Sequence, residues 1–124
     1  MILDDIKSFI EEKALISQDI EIKYDYDTAK GDDTLLLTLY DNVPCDLAMR
    51  SGIRIAVKLN DLKLSRDICF ALYNAFFPEE NFQKAIVVNN KTMHAKLNRG
   101  PYYLEKDQSK RHIYILDITL TYKR

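Results

Sequence analysis

The chain has 124 residues, of which 47% are hydrophobic and 30% are charged, a balance typical of one globular domain with a single core. Its net charge of −1 argues against a protein that binds nucleic acid by neutralising phosphates over its whole surface. No apolar run approaches the ~20 residues of a membrane span, and two cysteines are too few for a disulfide framework. We therefore expect one domain over residues 1–124 that has no membrane contact.

The N-terminal part predicts a helix followed by a strand. Apolar residues recur on one helical face from Leu3 to Leu15, and Asp4 and Asp5 occupy the first turn, where the helix dipole favours negative charge. The same acidic residues predict that this stretch is not a secretory signal. Polar and apolar residues then alternate from Asp19 to Tyr26, which indicates a strand near a sheet edge. The acidic side chains on and just after this strand are Asp19, Glu21, Asp25 and Asp27.

Two further segments precede the middle of the chain. Gly31 lies in a predicted turn, and the residues from Thr34 to Tyr40 are apolar on both faces, as in a central strand. The next stretch, Asp41–Gly52, is rich in turn-forming residues and predicts a connection. We expect its apolar residues Leu47 and Met49 to lie beneath the edge of the sheet.

A strand that leads into a helix forms the centre of the predicted fold. Residues 53–59 alternate between apolar and polar side chains, and the period then changes to one apolar residue in every four. Asn60 or Asp61 can cap the helix with a side-chain oxygen, and Pro78 ends it because proline has no N–H. The helical stripe consists of Leu64, Ile68, Leu72 and Phe76, flanked by Cys69 and Tyr73.

Three more strands complete the predicted order. The strands cover Lys84–Val88, Thr92–Leu97 and Arg111–Tyr122, and Asn89–Asn90 turns the chain between the first two. The order is α-β-β-β-α-β-β-β, and the short connections predict an α+β fold with an antiparallel sheet. We expect both helices on one face of that sheet, which leaves the other face and the loops for partners.

No group of residues predicts catalysis, a cofactor or a metal site. The two histidines are 18 residues apart without a set of ligands around them, and neither serine of interest lies in a nucleophile motif. Adjacent aspartates usually form a solvated surface rather than a cation site, and a thiol after a loop proline is usually half-buried. The residues weighed in this way are His94, His112, Ser51, Ser65, Asp32, Asp33, Asp25, Asp27 and Cys45.

The C-terminal part carries a more specific pattern. A Gly-Pro-x-x-Leu run is followed by a turn with aspartate and arginine and then by a long strand, at Gly100, Pro101, Leu104, Asp107, Arg111, Tyr114, Leu116 and Ile118. Arg99–Tyr122 thereby resembles the C-terminal signature of small bacteriophage minor capsid proteins, a family whose fold is like that of tail terminators. The family commonly has glycine in place of Glu105 and Lys110 and asparagine in place of Asp117.

The resemblance implies a structural function in the virion rather than an enzyme activity. Tail terminators form a six-fold ring that caps the tail tube, stops its polymerisation and joins it to the head. The implied partners are further copies of this chain, the major tail tube protein and the head–tail connector protein, with DNA only as cargo that passes through the ring. Assembly would occur in the bacterial cytoplasm, and the finished protein would lie at the head–tail junction.

A ring subunit needs two different surfaces that complement each other around the rotation axis. Paired tyrosines beside a proline supply amphipathic contact area, although one of them can equally be a core residue. The predicted interface consists of an aromatic and basic loop, with Tyr102, Tyr103, Leu104, Glu105, Lys106, Asp107, Lys110 and Arg111, and of an acidic strand face, with Asp19, Glu21, Asp25 and Asp27.

Two other functions stay open at this point. A head-closure or connector protein would have the same surfaces at a different place in the virion. A small nucleic-acid-binding domain would use the basic loop Lys106–Arg111 together with Lys123 and Arg124.

Overall fold

The computed structural model describes residues 2–13, 15–25, 32–78 and 83–123. It confirms the α+β class and the predicted order of elements. Within these ranges, both helices are too short to cross a membrane. The elements are α1 (Ile2–Glu12), β1 (Glu21–Tyr24), β2 (Thr34–Cys45), β3 (Ala48–Leu59), α2 (Leu62–Phe76), β4 (Gln83–Val88), β5 (Lys91–Lys106) and β6 (His112–Lys123).

The six strands form one sheet in the order β1-β2-β3-β6-β5-β4. Four of the five strand pairs are antiparallel, but β1 pairs parallel to β2. The prediction of an antiparallel sheet is therefore wrong at this edge. The Asp25 N–H, which donates to the Leu37 carbonyl, continues this parallel pairing just after the end of β1. The predicted turn at Gly31 lies outside the described residues.

The stretch Asp41–Gly52 is a long β-hairpin rather than the predicted connection. β2 and β3 each have 12 residues and are joined at Asp46–Leu47, where Asp46 has a φ of 56°. Leu47 is 80% exposed, so the expectation that it lies beneath the sheet edge is also wrong. The apolar alternation fades because this part of the hairpin is mostly exposed, and a register shift between Leu39 and Asp41 interrupts it.

The predicted loop Tyr102–Lys106 is the second half of a strand. β5 has 16 residues, and three register shifts against β6 disturb its alternation, which explains why the sequence pattern fails there. Gly100 lies within this irregular part at a φ of 97°. A side chain at that position would collide with the carbonyl oxygen of Ile115, so the close approach of β5 to β6 requires glycine.

Both helices pack on one face of the sheet, as predicted. The Asp61 side chain accepts a hydrogen bond from the Leu64 N–H at 3.1 Å and caps α2, and the helix ends just before Pro78. The buried stripe is shifted by one residue at its start, because Ser65 is buried while Leu64 is exposed. The main core also receives Ile6, Phe9 and Ile10 from α1 and Ile68, Leu72 and Phe76 from α2.

Candidate assembly and binding surfaces

The turns that join the strands lie at two opposite ends of the sheet. At one end, here called the tip end, lie the β2–β3 turn at Asp46–Leu47 and the β4–β5 turn at Asn89–Asn90, where both asparagines have positive φ. At the other end, the cap end, lie the helix cap Asp61 and the β5–β6 turn at 107–111. Since β3 spans 12 residues, the two ends are about 40 Å apart.

Exposed apolar side chains concentrate at these two ends. At the tip end, Leu47 and Val87 are 80% and 62% exposed. A shallow groove of about 510 Å³ lies there, and Leu47, Ala48, Ala85 and Tyr122 contribute to its lining. At the cap end, the exposed apolar residues are Leu62, Leu64, Tyr103 and Leu104. The molecule thus presents two separate apolar surfaces, one at each end of the sheet.

The two tyrosines of the predicted interface point to opposite faces of the sheet. Tyr102 is half-buried against the small cluster of Ala56, Ile113 and Ile115. Tyr103 is exposed, and its ring lies 5.4 Å from that of Tyr114. Both tyrosines therefore have packing partners within the chain, while Leu104, Glu105 and Lys106 remain exposed. A role of these residues at an interface stays a prediction.

Arg111 is buried and paired within the chain, so the expectation that it lies on an exposed basic loop is wrong. It is only 3% exposed and pairs with Asp107 at 2.9 Å. It also donates to the backbone carbonyl of Asp32 at 3.0 Å, which ties the β5–β6 turn to the start of β2. Burial raises the pKa of Asp107, but hydrogen bonds from Arg111 outweigh that effect and leave the pKa below its usual value. Of this turn, Lys110 is exposed.

The acidic residues lie at the same end of the sheet as this turn or near it. Asp19 and Glu21 are exposed near the cap end, and Glu21 lies 3.9 Å from Lys23. Asp25 uses its carboxylate to accept a hydrogen bond from the Leu39 N–H, and Asp27 lies outside the described residues. The start of β1 and the basic turn therefore share one end of the sheet, and a role of the acidic residues at an interface stays a prediction.

The face of the sheet without helices, here called the open face, carries an ion pair that the sequence analysis missed. Arg54 on β3 donates two hydrogen bonds to Asp117 on β6, at 2.9 and 3.1 Å. The Asp117 carboxylate favours the charged guanidinium, and the pKa of Arg54 is raised. The alternation of apolar and polar residues placed Arg54 and Asp117 on the polar sides of their strands. The direct pairing of β3 with β6 was not evident from the sequence.

Tyr40 lies on the open face beside this ion pair. Its ring rests over Gly52, where an added side-chain carbon would come within 2.7 Å of the ring. Asn98 donates to the Tyr40 hydroxyl at 2.8 Å and to the Thr119 hydroxyl at 2.7 Å. The tyrosine is thus held against the sheet at Gly52 and by its hydroxyl, and it is still 51% exposed.

The two serines considered for catalysis form hydrogen bonds within the fold. The Ser51 hydroxyl is hydrogen-bonded to Asn42 and Tyr122, and that of Ser65 donates to the His112 carbonyl. Burial raises the pKa of the Cys69 thiol to about 12. Cys45 is exposed at the end of β2, so the expectation of a half-buried loop thiol is wrong for this residue. Within the described ranges, no cluster of three or more histidine, cysteine or acidic residues could hold a metal ion.

Comparison with known proteins gives no family: no family model matches the sequence, and no curated protein matches it. The resemblance of Arg99–Tyr122 adds an expectation about the place of the protein in a larger assembly.

Proposed function

We propose that this protein is a tail terminator of a bacteriophage, a structural subunit that forms a six-fold ring on the tail tube and stops its polymerisation. The observation that supports this proposal is the pair of apolar surfaces at opposite ends of one sheet. A ring is built from heterologous contacts, in which one surface of each subunit binds a different surface of the next. The resemblance of Arg99–Tyr122 to minor capsid proteins supports a place at the head–tail junction of the virion.

The contact between neighbouring subunits follows from these surfaces. Leu47 projects from the tip of the β2–β3 hairpin, and an exposed leucine gains from burial against another apolar surface. The cap end of the next subunit offers such a surface, formed by Leu62, Leu64 and Leu104. In this arrangement, the tip end of each subunit packs on the cap end of its neighbour.

The other partners bind the two sides of the ring. The major tail tube protein would contact one side and the head–tail connector protein the other, at the head–tail junction of the virion. DNA would pass through the ring as cargo. The near-neutral charge of the chain, −1 over 124 residues, is consistent with a ring that does not hold the duplex tightly.

Electron microscopy of particles from a phage that lacks this gene tests the proposal. Tails longer than normal and without heads are expected, because a tube without its terminator continues to grow. Tails of normal length beside unattached, DNA-filled heads would instead assign the protein to the connector. Normal virions would contradict both functions.

A complementation experiment with point variants tests the proposed contact. Leu47→Asp places a charge in the subunit interface, so it is expected to leave the tails overlong when it is supplied to the deletion phage. Phe70→Asp is the matched control, since Phe70 is an exposed apolar residue in the middle of α2, away from both ends. If Leu47→Asp restores normal tails, the tip end is not the contact.

A further inference from the structure

The open face differs in charge from the rest of the molecule. Ala56 and Ile115 lie on this face, and the strand register shows which side chains of the neighbouring strands lie on the same side as these two residues. Among the described residues it carries seven basic and four acidic side chains, whereas the whole chain has a net charge of −1. The basic residues are Lys23, Arg50, Arg54, Lys58, Lys96, Arg99 and Lys123, and the acidic ones are Glu21, Asp41, Glu105 and Asp117.

Part of this positive charge remains available to a ligand. Asp117 is engaged by Arg54, which neutralises the acidic residue at the centre of the face. Arg50, Lys96 and Arg99 are exposed, and within the described ranges no carboxylate forms an ion pair with any of them. The three cations lie on β3 and β5, on both sides of β6.

The same face offers flat groups on which a base can stack. One side of the Tyr40 ring lies over Gly52, and the tyrosine is 51% exposed, so the outer side of the ring is open. The Arg99 guanidinium lies 4.7 Å from the centre of the Tyr102 ring, which adds a second planar group. Cations beside open aromatic rings are the surface that single-stranded nucleic acid prefers.

We infer that the open face binds single-stranded nucleic acid, with phosphates on Arg50, Lys96 and Arg99 and a base stacked on Tyr40. This site replaces the basic loop of the sequence-based alternative, where Arg111 is buried. A single strand suits the face better than a duplex, because the bases of a duplex are stacked on each other and cannot reach Tyr40. The inference does not rest on the ring, since it uses neither the tip end nor the cap end.

Fluorescence anisotropy of a labelled oligothymidylate of about 20 nucleotides tests this inference, with a duplex of equal length in parallel. The single strand is expected to bind at about 50 mM salt and to weaken steeply towards about 200 mM. The double variant Arg50→Gln/Arg99→Gln removes two phosphate contacts. It is expected to reduce the slope of log K against log salt by about 1.4, at about 0.7 per contact.

The matched control has the same change of charge on the other side of the molecule. Lys63→Gln/Arg66→Gln alters two exposed cations of α2, on the face that the helices cover, and is expected to leave the slope unchanged. An equal reduction of this slope in both double variants would show a nonspecific effect of net charge and would overturn the inference. Binding of the duplex as tight as that of the single strand would also overturn it.

Variants of Tyr40 separate stacking from charge. Tyr40→Leu is expected to weaken binding at constant salt by about 5- to 150-fold without a change of slope, while Tyr40→Phe keeps the ring and most of the affinity. No change in anisotropy of the single strand at about 50 mM salt would refute the site. If the wild type fails to bind but forms an oligomer that Arg50→Gln/Arg99→Gln dissociates in sedimentation, the face binds another copy of the chain instead.

Discussion

The two faces of the sheet are stabilised in different ways. The helix-covered face buries aliphatic side chains from β2 to β6, together with aliphatic and aromatic side chains from both helices. The open face has only a small apolar cluster around Ala56 and Ile115, and its centre is the ion pair of Arg54 and Asp117. Since apolar burial supplies most folding free energy, the first face determines stability and leaves the second available for contacts.

The largest effect is expected for Phe76 on the helix-covered face. Phe76 is fully buried, and its ring lies 4.9 Å from that of Phe9. Phe76→Ala is expected to lower the free energy of unfolding by about 3–5 kcal/mol, because it leaves a cavity between α1 and α2. Urea denaturation measures the change, and Phe70→Ala on the exposed side of α2 is the control, with an expected change within about 0.5 kcal/mol.

A smaller loss is expected on the open face. Asp117→Asn removes the charge that accepts two hydrogen bonds from Arg54, at an expected cost of about 1–3 kcal/mol in the same assay. Asp67→Asn is the control, because its pair with Arg66 is exposed on both sides and such pairs contribute about 0–1 kcal/mol. If Asp117→Asn destabilises the protein as much as Phe76→Ala, the two faces do not differ in the way described.

The acid dependence of stability is expected to depend on Asp5. This residue lies on α1 and accepts hydrogen bonds from Asn89 at 2.9 Å and Lys91 at 3.1 Å. Burial raises its pKa, but these bonds outweigh burial and the pKa is lowered overall. A lowered pKa stabilises the fold above the usual pKa of an aspartate, near 4, and this contribution is lost as the pH falls through the lower, folded value.

Thermal unfolding between about pH 7 and pH 2 measures this contribution. Asp5→Asn is expected to be less stable than the wild type at pH 7, and the difference is expected to shrink as the pH falls. The exposed Asp67→Asn serves again as the control, with a difference that stays small throughout. A difference between Asp5→Asn and the wild type that stays constant over the whole range would contradict the assignment.

The smallest effect concerns the two thiols, which lie on different parts of the molecule. Cys45 is exposed at the tip end, and Cys69 is buried in α2 with its pKa raised to about 12. A thiol reagent at pH 8 is therefore expected to modify Cys45 in the folded protein and Cys69 only after unfolding. The Cys45→Ser variant allows the reaction of Cys69 to be followed separately. Rapid reaction of Cys69 in this folded variant would show that the helix-covered face opens.

Regular patterns of sequence predicted the parts of the fold that pack against the helices. A cap at Asn60 or Asp61 and the turn at Asn89–Asn90 were evident from residue type, and the two faces of the last strand were evident because burial on one side imposes a period. The hairpin around Leu47 was missed, since much of it is exposed and its polar residues resemble a loop. Local sequence also could not predict that Arg111 is buried, because its partners at Asp32 and Thr34 are distant in the chain.

The order of the strands also has a consequence for the rate of folding. β3 and β6 pair along their whole length at the centre of the sheet, yet Leu59 and its partner His112 are separated in sequence by α2, β4 and β5. The β2–β3 and β4–β5 hairpins are local and can form within microseconds. Joining them through β6 closes a long loop, which slows folding. We therefore expect a folding transition state in which the two hairpins exist and the pairing of β3 with β6 is incomplete.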